Sequence, residues 1–143
     1  DNLNSIDARD YLNTVVEDTL ASGGAAGQDI SWRLVVDDIA FGVDDASACG
    51  QIVCEAISNS LKHAFADGRP GNIEVSLRRR GEQELNFRIS DDGKGFPGAL
   101  DPRSTNTLGI RLIHALAMQL GGEAKVDGSG GTHVDISFPE NPS

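Results

Sequence analysis

The sequence predicts a two-layer α/β sandwich, a mixed and mostly antiparallel sheet with helices packed on one face. Three observations predict it. Several short runs alternate apolar and polar residues with period two. Stretches with a 3.6-residue apolar period separate them. The links between successive strands are short and turn-like, which favours antiparallel neighbours.

The first helix is expected over Asp7 to Ala21, with Leu12, Val15, Val16 and Leu20 on one face and Gly23-Gly24 as its stop. Trp32, Leu34 and Val36 alternate with Ser31, Arg33 and Asp37, a half-buried strand. Asp44 or Asp45 is then expected to cap a long helix reaching about Phe65. After the turn cluster Asp67 to Gly71, Ile73, Val75 and Leu77 form the inward face of one strand. Leu85, Phe87 and Ile89 form that of the next, linked near Arg80-Gly81-Glu82. Asp91 to Thr107 shows no period. A further helix is expected over Leu108 to Leu120, stopped by Gly121-Gly122. Strands around Glu123–Val126 and Thr132–Phe138 complete the chain. Residues 1–29 read as a helix and linker, and residues 30–143 as the principal domain. A start at Asp1 rather than Met reads as an excised fragment.

The 143 residues suffice for one hydrophobic core, and 38% hydrophobic with 24% charged residues is ordinary for a globular protein. No apolar run is long enough to cross a membrane as a helix. Twelve Lys and Arg against 22 Asp and Glu give a formal charge of −10, a field that repels nucleic acid and anionic membranes. Arg78-Arg79-Arg80 is the one concentrated basic run and reads as a solvated strand end. Cys49 and Cys54 lie on the apolar side of one helix with the wrong spacing for a bridge, so they read as free thiols in a reducing cytoplasm.

Glu55, Asn59 and Lys62 fall at i, i+4 and i+7 of the long helix, opposite Cys49, Ile52, Val53, Ala56, Ile57, Leu61 and Ala64. A wet helix face explains them, but the trio also suits a nucleotide. Asn59 offers a hard amide oxygen to Mg2+, Lys62 offers charge to phosphate, and Glu55 can accept a proton. Asp91-Asp92-Gly93-Lys94-Gly95-Phe96-Pro97-Gly98 follows a strand. Asp91 can accept a hydrogen bond from the exocyclic amine of adenine, beside glycines that let the backbone approach a ring. The same letters spell G-x-G-x-x-G, but Pro97 and the aperiodic stretch behind it deny the helix a dinucleotide fold needs. Lys94 precedes Gly95 rather than Ser or Thr, so no phosphate loop of the G-x-x-x-x-G-K-[ST] kind is present either. Thr107-Leu108-Gly109-Ile110 opens a helix whose free N–H groups suit phosphate oxygens. Gly130-Gly131-Thr132 reads as a hairpin turn or a wall of the adenine pocket.

Taken in order, Glu55-x-x-x-Asn59-x-x-Lys62-His63, Asp91-x-Gly93-x-Gly95, Thr107-Leu108-Gly109-Ile110 and Gly130-Gly131-Thr132 resemble the N box and three glycine boxes of the GHKL ATPases. Glu55–Arg69 and Thr107–Gly122 look most like histidine kinases of the HisKA_2 type. The likeness covers about Trp32 to Phe138. It implies a Bergerat-type sandwich and the catalytic domain of a two-component sensor histidine kinase that uses ATP and Mg2+. Asp91 would bind the adenine amine, with Gly93, Gly95 and Thr132 beside it. Asn59 would hold the metal, and Lys62 and His63 would face phosphate. Thr107, Leu108 and Gly109 would cradle the triphosphate, Lys94 to Asn106 would form a lid with Arg103 as a phosphate contact, and Glu55 would be catalytic. The implied partners are a phosphoacceptor histidine hairpin, a response regulator and a second subunit, with no nucleic acid or direct membrane insertion. The chain departs from the pattern in one respect: it has no H-R-x-K-N-like acceptor box, and His63, His114 and His133 do not supply one. A serine kinase of the anti-sigma-factor type, a gyrase-like or Hsp90-like hydrolase and a degenerate docking module are the rival readings.

Overall fold

In the computed structural model, residues 5–22, 29–64, 70–93, 108–128 and 130–140 are described. A two-stranded antiparallel pair forms from β1 (Ile6–Asp7) and β3 (Ala40–Phe41). Helix α1 spans Ala8–Ser22, and β2 spans Ile30–Val36. Helix α2 spans Val43–Asn59 and runs on as a π-helical turn, Ser60–Ala64. Strands β4 (Gly71–Arg79) and β5 (Glu84–Asp91) follow, then α3 (Leu108–Gln119), β6 (Glu123–Asp127) and β7 (His133–Pro139).

The five-stranded sheet has the order β2-β4-β5-β7-β6. Its β2–β4 pair is parallel, across the α2 crossover, and its other pairs are antiparallel. The expected mixed sandwich is thus the observed one. Alternation drives it: Ile73, Val75 and Leu77 on β4, Leu85, Phe87 and Ile89 on β5, and Val134, Ile136 and Phe138 on β7 are all buried on one side. The intervening positions face outward, where Arg33 pairs with Glu74 (3.3 Å) and Arg88 with Asp135 (3.4 Å).

The helices close the inner side. Ile52, Val53 and Ile57 of α2 share one core with Leu12 and Val16 of α1 and with Ile113 and Leu120 around α3. The first helix therefore packs into the same core as the sheet. Asp7 caps it, its carboxylate accepting the Asp10 N–H at 3.0 Å. At α2 the expected cap is corrected: Gly42 is the N-cap, and Asp44 and Asp45 lie in the first turn. Carboxylates there favour the helix through its positive end without capping it. Helix α3 ends in a Schellman pair, with the Gly121 N–H on Met118 O and the Gly122 N–H on Ala117 O, each at 3.0 Å. Both cysteines are free, Cys49 buried and Cys54 half-buried 3.3 Å from the Thr19 hydroxyl. Burial, reinforced by the nearby Asp45 carboxylate, pushes the Cys49 thiol pKa far up. Among the described residues no helix is long and apolar enough to cross a membrane.

Candidate functional site

The site is built where the end of β5 meets the end of α2. Asp91 is the last residue of β5 and lies in inward register, opposite Ile73 of β4. Its side chain is therefore carried to the core side, and Asp91 is only 3% exposed. A carboxylate so buried must be hydrogen-bonded. One oxygen, Oδ1, accepts the backbone N–H of Gly93 (2.9 Å) and of Thr132 (3.1 Å). The other, Oδ2, accepts the Ser60 hydroxyl at 2.6 Å. Three donors on an anion with about four acceptor positions leave room for one more donor from a ligand.

Ser60 is the residue after Asn59, so the Asp91 carboxylate and the Asn59 amide are joined through one backbone step. Ser60 opens the π-turn, and its Oγ also lies 3.1 Å from Ala56 O. Such a turn, which widens the helix by one residue per hydrogen-bonded ring, is frequent at functional sites. Asn59 and Glu55, one helical turn apart, are half-buried rather than wet. The start of α3 covers them: a Cβ on Gly109 would lie 2.8 Å from Glu55 Oε1 and 3.3 Å from Asn59 Nδ2. Glycine lets the start of α3 stand this close to both side chains.

On the far side of Asp91, the turn before β7 is held equally tightly. Gly131 has φ +109°, and a Cβ there would run into the Asp91 carbonyl oxygen. The Asp91 N–H donates to Thr132 O at 2.9 Å. Next to it, Asp92 accepts both the N–H (2.7 Å) and the side-chain amide (2.9 Å) of Asn72, which fixes the β4–β5 end.

The structure thus brings Asp91, Gly93 and Thr132 together, and Glu55, Asn59 and Gly109 together, with Ser60 as the link. Lys62 is exposed on the π-turn. His63 lies on the same turn and Leu108 opens α3, both without described side chains. Gly95, Thr107 and the segment Lys94 to Asn106, including Arg103, lie outside the described residues. His114 is half-buried on α3, with no partner for Nε2 among the described residues. His133 is half-buried, its Nε2 3.3 Å from Gly130 O. Two participants escaped the sequence reading, Ser60 and Asn72. Ser60 falls at i+4 from Ala56 and i+3 from Ile57, on the apolar face. A hydroxyl on that face was the available signal. Asn72, at the start of a strand, gave none.

Comparison with known proteins shows the family. The family described as histidine kinase-, DNA gyrase B- and HSP90-like ATPase matches residues 44–142. The chain belongs to this ATPase family. Its domain is homologous to sensor histidine kinase catalytic domains. It is 33% identical over 111 residues, 77% of its length, to blue-light-activated histidine kinase 2 of Erythrobacter litoralis, covering 32% of that protein. It is 29% identical over 91 residues, 63% of its length, to sensor histidine kinase PdtaS of Mycolicibacterium smegmatis, covering 17% of it. The chain therefore spans a third or less of these relatives. Among solved structures, the histidine kinase domain of the Erythrobacter litoralis EL346 blue-light activated kinase superposes with a TM-score of 0.81 at 29% identity, over 94% of this chain and 61% of that one. The mycobacterial sensor histidine kinase MprB gives 0.72 at 20% identity, over 97% and 98%, a likeness of fold alone.

Proposed function

We propose that this ATPase-family domain binds Mg-ATP and transfers the γ-phosphoryl group to a histidine on a segment outside these 143 residues, as the catalytic domain of a two-component sensor kinase. One observation carries the reading. The buried carboxylate of Asp91 is bonded to Ser60, immediately beside Asn59, and Asn59 and Glu55 face the open N-terminus of α3. The proposed acceptor for adenine and the proposed phosphate end therefore lie one residue apart along the end of α2.

The donor set fits the ligand. Asp91 takes the fourth hydrogen bond, from the adenine amine, with the Gly93 and Thr132 amides holding its other oxygen; Gly95 is proposed as a further adenine-pocket residue. Thr107, Leu108 and Gly109, at and before the start of α3, are the proposed phosphate cradle, and Lys62 and His63 of the π-turn are proposed as further phosphate donors. Among the described residues no group of three or more His, Cys, Asp or Glu could hold a metal. The lone amide oxygen of Asn59 suits a Mg2+ ion that arrives with the phosphates and keeps its waters. A Mg2+ ion held by Asn59 would supply positive charge to offset that of the phosphates. Glu55 receives the proton that the acceptor imidazole loses as its nitrogen bonds to phosphorus, while the electron pair of the breaking bond leaves with ADP. The protein supplies positioning and charge more than covalent chemistry. A HisKA_2-type helical hairpin, joined through the first helix, is the proposed acceptor and dimerisation element. A response regulator is the proposed next recipient, and the reducing cytoplasm the proposed compartment.

Radiolabelled ATP given to the full-length protein tests the reading. An acid-labile, base-stable phosphoryl group on histidine supports it. Acid-stable phosphoserine points to a serine kinase instead, and absence of nucleotide binding to a docking module.

Two further outcomes are expected of calorimetric titrations. Asn59→Ala should weaken ATP about tenfold in Mg2+ while leaving the affinity in EDTA unchanged, the loss of one charge-assisted contact. Ser60→Ala should weaken ATP about tenfold with or without Mg2+, because the adenine carboxylate loses one of its anchors. Ser60→Thr, which keeps the hydroxyl, should restore most of that affinity.

A further inference from the structure

The outer face of the sheet, which no helix covers among the described residues, holds a groove of about 450 Å3. Arg78, Arg79, Arg80 and Arg88 line it, four of the twelve cationic residues of a chain whose formal charge is −10. Part of that charge is matched. Arg79 is paired with Glu140 at 2.9 Å, Arg88 with Asp135 at 3.4 Å, and Arg33 takes Glu74, at the far end of the groove, at 3.3 Å. Arg78 and Arg80 have no ion pair among the described residues, and both are exposed. The register sets Arg78 opposite Asn86 and Arg88 opposite Ser76, so the two guanidiniums are diagonal neighbours on one face. Like charges so placed oppose strand pairing rather than aid it. Ion pairs account for Arg79 and Arg88, but none among the described residues accounts for Arg78 and Arg80.

We propose that this groove docks an extended acidic segment of a partner protein. The guanidinium fork matches a carboxylate in shape as well as charge. Ser76, Asn86, Ser90 and His133 add hydrogen-bonding groups along the floor. Among the described residues no Phe, Tyr or Trp lines the groove to stack the bases of a nucleic acid. Nor do the described lining residues present the apolar side chains that enter a bilayer. The acidic remainder of the chain repels long polyanions, whereas a short segment feels chiefly the arginines within a screening length of about 8 Å. From Glu74 to Arg80 the floor follows β4 for about 20 Å at the usual strand rise, room for roughly six extended residues. Acidic side chains sit toward the Arg80 end, and hydroxyl or cationic ones toward Glu74.

The test is a titration of the isotopically labelled chain with acetylated hexaglutamate, read by amide chemical shifts. Saturable shifts are expected at Ser76, Arg78, Asn86, Arg88 and Ser90, with a dissociation constant on the order of 1 mM or below at physiological salt. In the double variant Arg78→Glu/Arg80→Glu the affinity should fall about tenfold or more. Thermal stability and ATP affinity should not change, since both guanidiniums are exposed and distant in sequence from the cleft residues. Absence of a saturable shift, or shifts scattered over all cationic residues, overturns the proposal. So does undiminished affinity in the double variant. Binding of oligothymidylate or phosphatidylglycerol vesicles in place of the peptide reassigns the groove to nucleic acid or membrane, and self-association lost in the double variant reassigns it to a second copy.

Discussion

Asp91→Asn is expected to leave a folded domain that has lost ATP. The amide keeps the shape of the carboxylate, and its oxygen can still accept the N–H groups of Gly93 and Thr132, at 2.9 and 3.1 Å in the native chain. Its nitrogen then faces the Ser60 hydroxyl, which can turn its proton to Ala56 O, 3.1 Å away, and accept instead. What the amide cannot do is accept the adenine amine at that position, because it presents donors of its own. A site built around a polar partner discriminates strongly once that partner is mismatched, so affinity should fall by at least about 100-fold. Asp91→Ala should lose ATP equally and also lose stability. It strands the N–H groups of Gly93 and Thr132, at about 1–3 kcal/mol for each buried donor left without a partner, while the Ser60 hydroxyl can fall back on Ala56 O. Calorimetric titration and thermal unfolding of the two variants separate recognition from folding. Native-like ATP affinity in folded Asp91→Asn would remove Asp91 from the site.

Much of the architecture is legible because it rests on local alternation. The periods of Ile73-Val75-Leu77 and Leu85-Phe87-Ile89 recur as buried faces, and Gly121-Gly122 ends α3 where the pattern stops. Other features depend on contacts between distant parts of the chain, and periodicity does not record those. The β1–β3 pair has two residues on each side, too few for any alternation to declare itself. The parallel β2–β4 pairing is set by how α2 crosses the sheet, since both strands would read the same in an antiparallel arrangement. Asp44 and Asp45 look like caps, but the chain enters α2 from β3 by way of Gly42, leaving them two and three places too late.

The site divides along the same line. A helical wheel assigns Glu55 and Asn59 to the face opposite the core, which is correct as geometry within α2. It does not follow that they are wet, because the start of α3 lies over them. Lys62, beyond that cover, is the member of the trio that stays exposed. Ser60 went unnoticed for the converse reason. On the apolar face it passes for a tolerated small residue until the strand end that receives its hydroxyl is in view. Polar residues on inward positions, rather than those on the wet face, were the stronger pointer to the cleft.

Glu55→Gln is expected to separate binding from turnover. The amide has the size of the carboxylate and can remain beside Gly109, whose hydrogen-only side chain leaves Oε1 room at the phosphate end of the cleft. Asp91, the proposed adenine acceptor, is joined to α2 through Ser60 rather than Glu55. ATP affinity in Mg2+ should therefore stay within about threefold of the wild type, since no direct contact with the base is removed. Phosphoryl transfer, however, requires the acceptor nitrogen to shed a proton, and a neutral amide is a far weaker proton acceptor than a carboxylate. Removing a positioned base typically costs about 100- to 10,000-fold, so autophosphorylation of the full-length protein should fall into that range. Gly109→Ala gives a second check, read against its own ATP affinity because the new Cβ also lies 3.3 Å from Asn59 Nδ2. Its new Cβ would meet Glu55 Oε1 at 2.8 Å and push that flexible carboxylate aside at little expense in stability. If Glu55 is the proton acceptor, displacing it should slow transfer even though its chemical identity is intact. Unchanged transfer in Glu55→Gln would return Glu55 to a structural part and leave proton removal to the acceptor segment or to water.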